Sequence, residues 1–477
     1  MAKYGMLILE VLAGVASLFM LAATGMLGEF LRKLLSGVTH TLWGDVSAEE
    51  LRKFGILGIS FFIIIGVYWM LRTIKDGFFN TLVGIEYVPR AKMLTFIMLP
   101  AIIALYGKLS DWFEKTKLFW VFCGFFTVLY TLIGYSYSMI TPETTMVLRN
   151  TLGWVSYVSI EFFGSLIIAA LFWAFVSSIT KTESAKKGYP IVFLAGQIGN
   201  FLGASLVAEA ATFLGFSNLF YIAAISIVLI PIIIQYLMKT TPSGLLVCNE
   251  TKMDEDGKPV VEKPKKKTGA LEGLRLIASH PFLMGVAVVA TVYEVVGAIV
   301  DFQFKTMTAK VYVAEAMASY VARVSQMQSF VAITFVLLGT SFFLRRFGVR
   351  LCLFGYPATV GLTILAIWLH PQLTVFAIAM IAIKAFSYVL NNPVKEILYI
   401  PTSRDVKFKA KGFIDAFGGR TAKAVGSGIN EALKANMGTL LTMGGVISLG
   451  IVGGWLIVAF VLGKAYDKLI KSGKIIS

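Results

Sequence analysis

The chain has 477 residues, 57% of them hydrophobic and 15% charged, and 43 lysines and arginines against 27 acidic residues give a formal net charge of +16. Soluble domains carry about 25% charged residues, so this composition, with a mean hydropathy of +0.78, excludes a soluble nucleic-acid binder despite its basic balance. Cysteines (Cys123, Cys248, Cys352) and histidines (His40, His280, His370) lie far apart in the chain, which excludes a disulfide-stapled module and leaves no zinc spacing or redox pair.

In chain order, residues 6–31 are apolar enough to form an extra N-terminal helix, spanning or interfacial, although they carry Glu10 and Glu29. Ser47-Ala-Glu-Glu50 reads as a capping box opening the first core helix. Apolar runs of about 20 residues, the length a crossing helix needs, then fall near 54–74, 92–110, 118–139, 153–179, 189–213 and 217–238. A Lys-rich stretch follows from Lys239 to Ser279 and includes KPKKKTG at 263–269. Between two apolar bundles it reads as a solvated cytoplasmic linker rather than a nucleic-acid patch. Further runs fall at 282–305, 325–344, 350–369, 373–393 and 439–463.

The segment 413–435 contains Asp415, Arg420, Lys423, Glu431 and Lys434, and hydropathy alone would reject it. Parity decides in its favour. With 413–435 counted as a span, the basic loops at Lys108–Lys117, Lys181–Lys187, 239–279, Arg345–Arg350 and Arg404–Lys411 share one side with the basic C-terminal tail, as cytoplasmic loops do. The expected architecture is an all-α polytopic membrane protein with 12 core transmembrane helices in two six-helix bundles. Its domains are an N-terminal segment at 1–50, bundles at 51–238 and 281–477, and the linker at 239–280. It is expected in a bacterial inner membrane, with its C-terminus and basic loops cytoplasmic.

Ionisable groups inside spans are costly and mark protein interiors or aqueous paths. Here they form stripes at helical spacing: Tyr68, Arg72, Lys75 and Asp76; Asn150, Trp154, Tyr157, Glu161 and Ser165; Glu294, Gly297, Asp301 and Lys305; Lys384, Tyr388, Asn391 and Lys395; Asp415, Gly419, Lys423, Gly426 and Asn430. Arg72 with Asp76 and Asp301 with Lys305 stand four apart and can pair. Lys75 and Lys305 lie near helix ends and could instead snorkel, and Lys423 could pair with Asp415 to hold helices together. Taken jointly, the stripes predict a polar cavity between the two halves. Gly196, Gly199 and Gly203, and Gly418, Ala422 and Gly426, read as close helix packing.

No GxxxxGK[ST], HExxH or GxSxG occurs, so neither a nucleotide-hydrolysing loop nor a membrane protease or esterase is indicated. Gly107-Lys-Leu-Ser-Asp111 followed by Lys115 and Lys117 partly resembles a loop of major facilitator transporters. The six-plus-six layout with buried charge also fits a secondary transporter, not an enzyme.

A closer likeness rests on LRTIKD (71–76), EFFGS (161–165) followed by LFWAF (171–175), DFQFK (301–305) and NPVKEILYIPTSRDVKFKAKGFIDAFGGRTAK (392–423). In order and spacing, from about residue 50 onward, these resemble the ATP/ADP translocases of plastids and intracellular bacteria. The resemblance implies a major-facilitator-like antiporter of adenine nucleotides, in which Lys75, Glu161, Asp301 and Lys423 are the charges used for transport. Gly77 replaces a threonine of the family, Asp301 stands for a glutamate, and Ala424-Val425-Gly426 replaces Ser-Gly-Gly. A proton-coupled importer of nucleotides or another organic phosphate therefore stays open.

A polyphosphate needs several cations with little intervening water. Lys75, Lys384, Lys395 and Lys423 are the expected phosphate ligands, with Trp154, Tyr157 or Tyr388 to stack the base and Asn391 beside them. Glu161 and Asp301 are expected to neutralise these lysines in the empty carrier. The expected partners are a nucleotide such as ATP or ADP and the lipid bilayer; no cofactor, metal or nucleic acid is expected.

Overall fold

The computed structural model describes residues 47–246, 270–338, 340–403, 406–411, 413–472 and 476. The expected N-terminal helix at 6–31 and the linker motif at 263–269 lie outside the described residues. Within them the chain is helical almost throughout, with one isolated two-residue bridge between Thr402 and Ile476.

The principal helices are α1 (Ala48–Leu82), α2 (Val88–Trp112), α3 (Lys115–Ser138), α4 (Met146–Phe163), α5 (Thr182–Thr240), α6 (Pro281–Val311), α7 (Ala314–Leu338), α8 (Thr340–Leu369), α9 (Leu373–Phe386), α10 (Asn392–Leu398), α11 (Gly419–Leu433) and α12 (Met437–Ser472), with shorter ones at Trp173–Ser178, Ser243–Leu246 and, within the expected linker, Ala270–Ser279. All twelve expected spans are helical. Helix α5 supplies two of them, because Gly215 breaks it at φ 74°, and Gly348 at φ 73° breaks α8 in the same way. Both angles lie in the left-handed region where glycine carries no side-chain penalty. Eight helical stretches among the described residues are long and apolar enough to cross a bilayer. The Lys187–Thr240 stretch counts once there, and α7, α9 and the charged α11 are not among the eight.

The start of α1 is fixed as its sequence predicts. Ser47 Oγ accepts from the Glu50 amide at 3.2 Å, and Glu50 Oε2 accepts from the Ser47 amide at 3.4 Å. Four stretches are wider π-helical turns: Gly164–Phe172 after α4, Ser387–Asn391 between α9 and α10, and Lys407–Lys411 and Ile414–Gly418 before α11. Such turns leave backbone groups with looser pairing and occur disproportionately at functional sites.

The described chain falls into two compact units. The first holds residues up to Val83, from Pro100 into the linker, and Ala314–Arg323; the second holds Gly84–Leu99, from the end of the linker to Val313, and Val324 onward. Helix α2 thus changes unit at Pro100, where the missing N–H removes a helical hydrogen bond.

In the first unit α1 is the central helix, with Phe54, Leu57, Ile64, Leu71, Ile74, Phe78 and Phe79 fully buried. Its contact with α5 runs through glycines. A Cβ on Gly203 would lie 2.2 Å from the Gly66 carbonyl oxygen, and one on Gly199 would lie 2.4 Å from that of Phe62. This is the close packing predicted from the stripe of small residues, and it lets backbones approach where apolar burial alone gives no driving force in lipid. Phe78 packs against Phe216 and Phe220, with centroids 5.3 and 5.0 Å away. The start of α7 joins this unit through Ser319 Oγ, which donates to the Ala208 carbonyl at 2.6 Å. It also abuts Gly77, where a Cβ would come within 3.0 Å of the Ala314 carbonyl oxygen and 3.2 Å of Ala318 Cβ.

In the second unit α6 packs against α11 and α12. A Cβ on Gly426 would lie 2.6 Å from the Val295 carbonyl oxygen, Asn430 Nδ2 donates to the Ala298 carbonyl at 2.9 Å, and Gln303 Nε2 donates to that of Leu440 at 2.7 Å. Tyr356 and Trp455, both fully buried, join α8 to α12 with centroids 5.4 Å apart.

Gly203→Leu forces α1 and α5 apart and is expected to lower the unfolding midpoint in detergent by many degrees. Gly428→Ala, which meets nothing within 4 Å, is expected to leave it unchanged or slightly raised, since alanine is the better helix former by about 1 kcal/mol.

Candidate functional site

In the first unit α1 and α4 bring Lys75 and Glu161 together. Lys75 Nζ donates to Glu161 Oε1, with the lysine 4% exposed and the glutamate 35%. The ammonium also stands 4.3 Å from the centroid of the Tyr157 ring. Lys75 is therefore an interior cation held by a carboxylate and a π-face, not a snorkelling one. Glu161 lies three residues before the π-helical turn that starts at Gly164, and its partial exposure leaves side-chain surface open to solvent.

One expectation changes here. Tyr157 is fully buried, between Lys75 and Phe79 (centroids 5.0 Å), so its ring seats the lysine rather than presenting a face for a base. Trp154, edge-on to Phe79 at 5.4 Å and only partly buried, retains accessible ring surface. Arg72 donates to Tyr68 Oη at 2.8 Å and stands 5.1 Å from the Trp69 ring centroid.

In the second unit Asp301 is the hub of a three-charge cluster. Lys305 Nζ and Lys92 Nζ each lie 2.8 Å from Asp301 Oδ2. The Lys305 pair was legible from its i,i+4 spacing; Lys92, from the first half of α2, was not. Two residues before Lys92 on α2, Arg90 shares Glu431 of α11 with Lys434 just beyond that helix, at 2.6 and 2.9 Å. These pairs explain why the first half of α2 belongs to this unit. Asp301 is thus engaged by α2 and by its own helix rather than by a lysine nominated for phosphate.

Lys423 takes another partner. Its Nζ lies 3.4 Å from Glu294 Oε2, with the lysine 50% exposed, and Tyr293 Oη donates to Glu294 Oε1 at 2.6 Å. Glu294 thus fills the place that Asp415 or Asp301 was expected to fill. Lys395 stands 4.8 Å from the Tyr293 ring centroid and, with Asn392, Glu396, Tyr399, Asp415 and Ala290, lines a cavity of about 350 Å³. Asn391, at the end of the π-helical turn, is buried, and its Nδ2 has no hydrogen-bond partner among the described residues. Buried amides usually have a partner. Lys384, one helical face along, is half-buried. The Tyr388 side chain lies outside the described residues.

Each unit therefore carries a lysine paired with a carboxylate on a neighbouring helix: Lys75 with Glu161, and Lys423 with Glu294. Multi-pass apolar helices that carry such lysine–carboxylate pairs fit a membrane transporter.

The comparisons with known proteins place it further. Residues 31–466 match the family described as TLC ATP/ADP transporter, and the chain belongs to that family. It is 25% identical over 449 residues to ADP,ATP carrier protein 1 of Rickettsia bellii, covering 82% of this chain and 88% of that protein. It is 27% identical over 484 residues to the chloroplastic ADP,ATP carrier protein 2 of Arabidopsis thaliana, covering 89% and 76%. Among solved structures, its fold is similar to a bacterial homologue of the iron transporter ferroportin (TM-score 0.61, 10% identity, 87% of this chain and 99% of that one) and to the nucleoside transporter NupG (TM-score 0.51, 13% identity, 87% and 99%). These are major-facilitator-type transporters, and the fold is of that kind.

Proposed function

We propose that this protein exchanges ATP for ADP by alternating access across a bacterial inner membrane, with its basic loops and C-terminus on the cytoplasmic side. The single observation that carries the reading is the Lys75–Glu161 pair. A buried ammonium needs a counter-charge at all times, because an unpaired one costs several kcal/mol. In the empty carrier Glu161 supplies it; in the loaded carrier a phosphate oxygen does, and Glu161 turns to the solvent it already touches. Lys423 and Glu294 repeat the arrangement in the second unit, while Lys384 and Lys395 add cations and Trp154 the accessible aromatic face. Lysine suits this work because its ammonium is a compact point charge on a flexible stem that can change partners.

The family and the names of the relatives favour exchange over proton-coupled import. In proteoliposomes loaded with ADP, labelled ATP uptake should exceed that in empty vesicles at least tenfold. Unlabelled ATP and ADP should compete, and GTP, CTP, NAD and phosphate should compete less. Equal uptake into empty vesicles would establish import instead. Uncompensated exchange of ATP for ADP moves one net charge, worth about 2.3 kcal/mol per 100 mV, so an imposed potential is expected to change the rate with a sign that reverses on reversing the gradient.

A further inference from the structure

Away from the paired lysines, a second cationic cluster lies at the end of the second unit. Arg350, at the start of the α8 segment that follows Gly348, and Lys464, Lys468 and Lys471 of α12 surround a recess of about 530 Å³ with Asp467 and Ser472. Four cations face one carboxylate. Arg350 lies along α12: a Cβ on Gly463 would be 3.0 Å from Arg350 Cγ, so the missing side chain makes room for the arginine stem.

What adjoins the recess identifies its ligand. Ile457, Phe460, Val461, Lys464, Lys468 and Lys471 recur at spacings of three and four and so run down one face of α12. Ile457, Phe460 and Val461 are exposed large hydrophobic residues, as are Leu351 and Phe354 on α8, with Phe354 one turn beyond Arg350. The stripe is apolar and uncovered for its first turns, then wholly cationic. Phe460 marks the change: Lys464 Nζ stands 4.3 Å from its ring centroid and the Arg350 guanidinium 5.3 Å. A soluble polyanion would need only the cations. A phosphate tied to acyl chains would need both parts of the stripe in this order.

We propose that this recess binds the headgroup of an anionic phospholipid, with its acyl chains lying on Ile457, Phe460, Val461, Leu351 and Phe354. Basic pockets at helix ends on the cytoplasmic side take such headgroups through charge and chelation together. Its lining shares no residue with the cavity that Lys395 lines, and it assigns the protein a lipid requirement that its substrate chemistry does not.

The test uses the full chain purified in detergent. Phosphatidylglycerol or diphosphatidylglycerol should raise its unfolding midpoint by several degrees and stay bound in native mass spectrometry, whereas phosphatidylcholine and inorganic phosphate should do neither. The triple variant Lys464→Gln/Lys468→Gln/Lys471→Gln should lose the gain while keeping the lipid-free midpoint. Asp467→Asn, which removes the competing carboxylate, should bind the anionic lipid several-fold more tightly and decides the matter by itself if the triple variant does not fold. An equal gain in the triple variant, no tightening in Asp467→Asn, or an equal effect of inorganic phosphate would overturn the assignment; the last would make the recess a small-anion site.

Discussion

Lys75→Ala is expected to reduce ATP/ADP exchange by about tenfold to a hundredfold while leaving a folded protein. A hydrogen bond to a charged group contributes about 1.5–3 kcal/mol, and about 1.4 kcal/mol is a factor of ten. The cost to stability should be small, because the residue left behind is Glu161, already 35% exposed and able to recruit water. Glu161→Gln should behave in the opposite sense. It strands an ammonium that is 4% exposed, and removing one partner of a buried pair costs about 3–5 kcal/mol. The reciprocal swap Lys75→Glu/Glu161→Lys should recover part of the stability and none of the transport, since it puts a carboxylate where phosphate must bind. Exchange rates in proteoliposomes and unfolding midpoints in detergent, measured on the same three preparations, separate the two effects. Wild-type exchange in Lys75→Ala would remove this lysine from the site.

The second large effect concerns Asp301. Its carboxylate lies between Lys92 and Lys305, whose side chains are 19% and 10% exposed. Asp301→Asn places two ammonium groups around an uncharged amide and should destabilise the fold by about 3–5 kcal/mol. Adding Lys92→Ala should restore a substantial part, because it removes the repulsion the first change creates; such non-additivity is the signature of a shared network. Asp301→Glu keeps the charge and should stay near wild type in stability. Should Asp301→Asn keep wild-type stability and lose only exchange, this carboxylate would act on the substrate and not on α2.

The helices and their order were legible in the sequence because each carries its own local signal. Apolar length marks most spans, and a capping box opens α1. Even the polar α11 followed from the parity of basic loops. The partners of the charges were legible only where both lie on one helix, as Asp301 and Lys305 do. Lys92 with Asp301 and Lys423 with Glu294 join residues 209 and 129 positions apart on different helices, and no periodicity connects such residues. Tyr157 illustrates the same limit: its place on a polar face was readable, but its burial beneath Lys75 depends on how α1 meets α4. Gly77, a departure from the family's threonine, gains a physical reason only from the fold, since the start of α7 lies against it. A threonine there would displace that helix or demand a wider crossing.

The central claim is that Lys75 leaves Glu161 for a phosphate oxygen when substrate binds, and comparing ligands tests it most directly. Equilibrium binding of ATP and of adenosine should be measured on the wild-type protein and on Lys75→Ala. The variant is expected to lose about tenfold or more in ATP affinity while its weaker adenosine affinity is unchanged, so that discrimination between the two shrinks. An equal fall for both ligands, or an unaltered ratio, would contradict it.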